Sequence, residues 1–158
     1  MNFLTEHGIS SYGELESKLT AISARRDTAH SEIKRIESSS AELALVMKHA
    51  GTYRQLKPLY DRYRKSNDKE KFLRGHESEI ILFEAATREL KRLGTVPLPT
   101  TESMKTELAN LNAEKERLLA EYKAARAEAQ EYETVKQNVD ALLTVAKEQE
   151  QQRRHELE

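Results

Sequence analysis

The chain has 158 residues, of which 37% are hydrophobic and 34% charged, too few large apolar side chains to fill a thick, multilayered core. Ala, Glu, Lys, Leu and Arg supply about 54% of it, against five Gly and three Pro, which is the compositional mark of long helices or coiled coils. The absence of cysteine excludes disulfide frameworks and thiolate metal sites, and the net charge of −1 excludes a uniformly basic or acidic surface.

The lead-in, residues 1–10, is too short and polar in Met1–His7 to be a signal peptide. Ser11-Tyr-Gly-Glu14 then reads as a capping box that opens a first long helix over 11–66. Apolar residues follow on a 4-3 spacing: Leu15, Leu19, Ile22, then Ala29, Ile33, Ile36, then Leu43, Met47, Ala50. Arg26 and Ser40 are the interruptions. A heptad seam kept over about five repeats calls for a partner helix along its length. Tyr53, Leu56, Tyr60 and Tyr63 extend the stripe past Gly51. Pro58 removes one helical hydrogen bond, so a kink is expected near 54–58. Ser66-Asn-Asp68 carries the turn and cap chemistry of a true stop.

A helical head is expected over 67–94, broken at Gly75 or continuous through it, with Phe72, Ile80, Phe83, Ala86, Leu90 and Leu93 inward. Gly94 has the place of a left-handed C-terminal glycine. The connector 95–100 contains Pro97 and Pro99 and reads as extended. Thr100 or Thr101 caps a second long helix over 101–158. Its seam is Met104, Leu108, Leu111, Leu118, Tyr122, Ala125, Ala129, Tyr132, Val139, Leu143 and Ala146, with Lys115 and Lys136 as exceptions. Residues from Lys147 onward are almost wholly polar and are expected to fray.

The two long segments match at roughly 80 Å, taking ~1.5 Å rise per residue. They are joined through a short helix, so the expected fold is all-α: a long antiparallel helical hairpin (coiled coil) with a short helical head. A monomeric hairpin is favoured over a parallel homodimer, because two equal seams in one chain can satisfy each other. The longest apolar run, Leu43–Met47, is far below the ~18 residues that span a bilayer, so no membrane association and a soluble cytoplasmic protein are expected.

Nothing in the pattern reads as an enzyme, a metal site or a cofactor site. His7, His30, His49, His76 and His155 have no spacing that sets two of them on one helical face. The glycines are scattered singly, and carboxylates such as Glu77 and Glu79 stand at i, i+2, where they diverge. Charge is more informative. Residues 48–75 hold nine cations against three carboxylates: Lys48, Arg54, Lys57, Arg62, Arg64, Lys65, Lys69, Lys71 and Arg74. Tyr53, Tyr60 and Tyr63 are interleaved with them. These cations are candidates for nucleic-acid phosphates, with the tyrosines as stacking platforms. The competing reading makes the tyrosines packing residues and the cations a solvated face.

Ten short stretches in order carry a family resemblance. Leu4-Thr-Glu-His7 leads to Tyr12-Gly-Glu-Leu15, Tyr60-Asp-Arg-Tyr-Arg-Lys65, Lys71-Phe-Leu73 with His76, Glu79-Ile-Ile-Leu82 and Ala85-Ala86. Leu93-Gly94, Leu98-Pro99-Thr100, Glu121-Tyr122-Lys-Ala-Ala-Arg126 and Lys136-Gln-Asn-Val139 follow. Over nearly its whole length the chain resembles the C-terminal helical region of relaxases, the mobilization nucleases of plasmids and conjugative transposons in Gram-positive bacteria. Pro58 departs from the pattern. Relaxases nick one DNA strand through an N-terminal domain with a catalytic tyrosine and a histidine cluster, so no catalytic residue carries over. The resemblance implies a non-catalytic accessory module that docks a protein of the transfer machinery and contacts DNA. The alternative is a stand-alone mobile-element protein that binds and inhibits a host defence or DNA-processing protein. A third reading, residual nickase activity, has no residues to support it.

Overall fold

The structure is a computed structural model that describes residues 3–7 and 11–157. Parts of the expected lead-in (1–2 and 8–10) and Glu158 at the end of the expected polar tail lie outside the described residues. The fold is all-α: α1 (Phe3–Glu6), α2 (Tyr12–Lys65), α3 (Lys69–Arg92) and α4 (Thr101–Leu157). The chain divides into two compact units, Met1–Lys34 with Glu116–Glu158, and Arg35–Lys115.

In the first unit, α2 and α4 run antiparallel. Tyr12 meets Asp140, Arg25 meets Glu128 at 3.6 Å, and the His30 and Tyr122 rings lie 5.6 Å apart, so numbers rise on one helix as they fall on the other. Leu15, Ile22, Ala129 and Tyr132 form the buried cluster, with Leu19, Val135 and Val139 packed on it. Helix α2 starts where the Ser11 hydroxyl accepts the Glu14 amide at 3.2 Å. The short α1 closes the end of the cluster, its Phe3 ring edge-on to Tyr132 at 4.8 Å.

The second seam ends earlier than its heptads suggest. Leu143 is 48% exposed and Ala146 is also exposed. The reason lies in α2, whose first residue, Tyr12, already faces Asp140. Beyond that point every described residue of α4 is exposed. The tail expected to fray is nonetheless helical to Leu157. Its Lys, Glu, Gln and Arg residues are strong helix formers, and Arg154 pairs with Glu150 at i, i+4.

The Tyr12 hydroxyl donates to Asp140 Oδ1 at 2.5 Å. That bond, with smaller contributions from desolvation and nearby carboxylate charge, pushes the phenol up to about 12. A raised pKa favours the neutral phenol in the folded state. Its contribution is therefore complete below the ordinary value near 10 and disappears as pH rises through about 12. Phenolate absorbance should show a late-ionising tyrosine that Asp140→Asn returns toward 10, while the Tyr132 phenol, raised by burial, is unmoved; an unchanged titration would contradict this contact.

In the second unit, α2 again opposes α4: Arg35 meets Glu114 at 3.7 Å and Glu37 meets Lys115 at 3.2 Å. Lys115, an apparent fault in the heptads, thus reaches a partner across the seam. Helix α3 adds a third wall. Leu43, Val46 and Ala50 of α2, Leu90 of α3 and Met104 of α4 form one buried cluster. With two neighbours, α2 buries a wider face than a two-helix seam, which explains why Val46 and Leu59 are buried alongside the heptad positions and why Met47 is only half-buried.

Helix α2 passes through Pro58 without ending, and runs on to Lys65. Pro58 is exposed, so the carbonyl it cannot bond faces water. Helix α3 is kinked at His76 (φ −138°, ψ 27°), just after Gly75, so of the two expected courses for the head the broken one is found. Asp68 caps α3 by accepting the Lys71 amide at 3.1 Å, and Thr100 caps α4 by accepting the Ser103 amide at 3.1 Å. Helix α3 closes in a Schellman motif: Gly94 N–H donates to Lys91 O and Thr95 N–H to Leu90 O, both at 3.1 Å. Gly94 has φ +70°, which a side chain resists. Gly94→Ala should cost about 1–2 kcal/mol in urea unfolding; no loss would mean that another cap replaces this one.

Candidate functional site

The nine cations singled out along the chain all belong to the second unit, but they do not form one patch. Lys48, Arg62, Lys69, Lys71 and Arg74 are exposed. Arg62 and Arg64 stand at i, i+2 on α2 and so leave opposite sides of the helix. Lys57 is paired with Asp61 one turn on, at 3.2 Å. Arg54 has a structural task. Its guanidinium donates to Thr101 Oγ1 at 2.7 Å and to the Pro99 carbonyl, fastening the connector to α2.

The tyrosines are packing residues. Phe83 of α3, only 6% exposed, is sandwiched between two α2 rings, stacked on Tyr53 at 5.1 Å and on Tyr60 at 4.3 Å. The series continues from Tyr60 to Tyr63, Tyr63 to Phe72 and Phe72 to His76, at centroid distances of 5.8, 6.0 and 4.7 Å. Ring faces spent on each other are not open platforms for bases.

What the fold does bring together is a strip along the α2–α3 face. One recess is lined by Tyr53, Lys57, Tyr60, Arg64 and Lys65 with Phe83 and Thr87. A second shares Tyr60, Arg64 and Phe83 and adds Arg88 and Lys91. Arg88 and Lys91 were not candidates from sequence, because residues 76–94 are slightly acidic in sum. Only the pairing of α3 with α2 sets them beside Arg64. Part of the signal lay in helical spacing: Phe83 is inward, Thr87 and Lys91 follow at one-turn and two-turn offsets, and Arg88 is next to Thr87.

At the end of the strip lies a cup of about 200 Å³ under the connector, lined by Tyr53, Leu90, Leu98 and Val96, with Thr87, Thr95 and Lys91 around it. Val96 is 70% exposed at its mouth. Thr87 and Thr95 donate their hydroxyls to Phe83 O and Leu90 O, at 2.9 and 3.0 Å, so neither hydroxyl proton points into the cup. Nearby on α3, the Arg92 guanidinium bonded to Glu89 holds that carboxyl below its ordinary range.

Charge is divided between the units. The second has 15 Lys and Arg against 12 Asp and Glu; the first has 11 against 15. Among the described residues, no group of His, Asp or Glu is arranged to hold a metal ion, and no helix is long and apolar enough to cross a membrane. His7 is stacked on Phe3 at 4.1 Å, and His30 lies beside Tyr122. Comparison with family models, with curated proteins and with solved structures gave no match.

Proposed function

We propose that the chain is a non-catalytic accessory and interaction module of a relaxase-like mobilization protein, serving plasmid or transposon DNA transfer by docking a protein partner and by contacting DNA through its second unit. The observation that carries the reading is the cationic α2–α3 strip, where Arg64, Arg88 and Lys91 converge beside an exposed apolar cup. An apolar recess rimmed by like charge is the usual anatomy of a protein contact: the rim steers a complementary partner and the recess supplies affinity. The exposed cations outside the strip, Arg62, Lys69, Lys71 and Arg74, add a phosphate-binding surface whose affinity falls with salt. Cytoplasmic action in donor cells follows from that role.

The reading is tested with the full chain as bait in cells that carry the mobile element, alongside a salt titration on transfer-origin DNA. The expected result is stoichiometric capture of a transfer protein, with DNA affinity that drops as salt rises and no strand cleavage in added metal. Charge reversal at Arg62 and Lys69 should lower the salt slope by about one for each phosphate contact removed. Capture of a single host defence or replication protein would favour the inhibitor alternative. Cleavage abolished by a tyrosine substitution would overturn the non-catalytic reading.

A further inference from the structure

We infer that the cup and strip of the second unit dock an acidic polypeptide segment with a bulky apolar anchor, the anchor entering the cup and the carboxylates lying along the cations. This names the partner chemistry of the docking reading above and rests on it.

The cup decides the anchor. Its volume of about 200 Å³ is on the scale of one large side chain, and its walls are the Tyr53 ring and the aliphatic groups of Leu90, Val96 and Leu98. Both threonine hydroxyls at its edge already donate to backbone carbonyls. A nucleobase placed there would bury several edge donors and acceptors against walls that cannot answer them, which is unfavourable. A leucine or phenylalanine side chain brings no polar atoms to satisfy. The cup is also held in shape before any partner arrives. The Schellman closure sets Thr95 and Val96, and Arg54 clamps Pro99. A preformed wall lowers the ordering cost of binding.

The strip decides the flanking charge. Lys91 stands at the cup, and Arg88 and Arg64 continue along the adjoining recess. The carboxylates among them are Asp61, already paired with Lys57, and Glu84. Cations outnumber carboxylates along the whole track, so an acidic segment is attracted and a basic one repelled. Phosphates would meet the same cations, but Tyr53 and Tyr60 each give one ring face to Phe83, which leaves fewer stacking faces than single-strand binders present.

The probe is a fluorescein-labelled Asp-Glu-Asp-Leu-Leu-Asp-Glu-Asp peptide, titrated with the full chain and read by anisotropy. Comparison ligands are the same peptide with serine in place of both leucines and an oligothymidylate of equal charge. Saturable binding of the leucine peptide is expected, weakened at least tenfold by the serine replacement and by R64E/R88E. Val96→Asp, at an exposed position, should do the same. K105E/K123E, at exposed positions of α4, makes an equal charge change outside the strip and should leave the affinity within twofold. Helical circular dichroism of each variant is checked first. Equal loss from both charge pairs, equal binding of the serine peptide, or preference for oligothymidylate would each overturn the inference. No peptide binding by a chain that still captures a protein partner would remove this chemistry and leave the docking reading standing.

Discussion

Phe83→Ala should destabilise the second unit by about 3–5 kcal/mol, the range for losing a large buried aromatic side chain and leaving a cavity. The expectation rests on position. Phe83 is 6% exposed and is the central ring of the stack that joins α3 to α2. Removing it leaves the inner faces of Tyr53 and Tyr60 without a partner, and Tyr53 in turn packs on the cluster of Leu43, Val46, Ala50, Leu90 and Met104. Two rigid helices cannot close the gap without losing other contacts, so little relaxation is available. Urea unfolding measures the loss, and hydrogen exchange locates it in α3 and the facing part of α2. A loss below about 1 kcal/mol would mean that α3 is held mainly by its cap and connector, against the range expected for such a ring.

Leu15→Ala should cost about 2–5 kcal/mol in the first unit, by the same cavity argument. Leu15 is 1% exposed, at the end of the seam where α1, α2 and α4 meet. Its neighbours Ile22, Ala129 and Tyr132 are fixed on the two long helices, and Phe3 covers Tyr132. Burial holds the Tyr132 phenol above its ordinary range, so the same substitution should let it ionise earlier as water enters. Amides of the first two turns of α2 should lose protection first, because they depend on this cluster rather than on charge pairs. The exposed Arg25–Glu128 pair, by contrast, should be worth little by itself. A fall in stability from breaking that pair equal to the loss from Leu15→Ala would reverse the assignment of what holds the unit together.

Helical period alone identified most of the inward positions. Leu15, Ile22, Ala29, Ile33, Ile36, Leu43 and Ala50 are all buried, as are Ile80, Phe83, Ala86 and Leu90 of α3. Two features escaped that reading for physical reasons. Val46 and Leu59 lie off the two-helix seam and are buried because the second unit surrounds α2 on more than one side. Leu143 and Ala146 keep the heptad spacing and yet are exposed, since a spacing cannot say where the partner helix begins. By contrast, α2 runs on past Pro58 without ending, and the kink at His76 follows Gly75, where the sequence allowed a break.

The candidate site was less legible. Counting charge along the chain found Arg64, Lys57 and Lys65, but it could not separate them from Arg62, which projects the other way. It also included Arg54, whose partners lie 45 and 47 residues away on the connector and α4. Arg88 and Lys91 were hidden by four acidic neighbours in sequence, Glu77, Glu79, Glu84 and Glu89, of which Glu84 alone lines their recess. A charged strip depends on which faces two helices turn toward each other, and net charge over a window does not resolve faces.

The central structural claim is that α2 and α4 meet antiparallel within one polypeptide in each unit. The absence of native cysteine makes thiol cross-linking a direct measurement. R25C/E128C places a pair in the first unit and R35C/E114C one in the second. A short bis-maleimide should join each pair within a single chain, giving a faster-migrating monomer band whose yield does not depend on protein concentration. Products of twice the mass, formed in proportion to concentration, would contradict it.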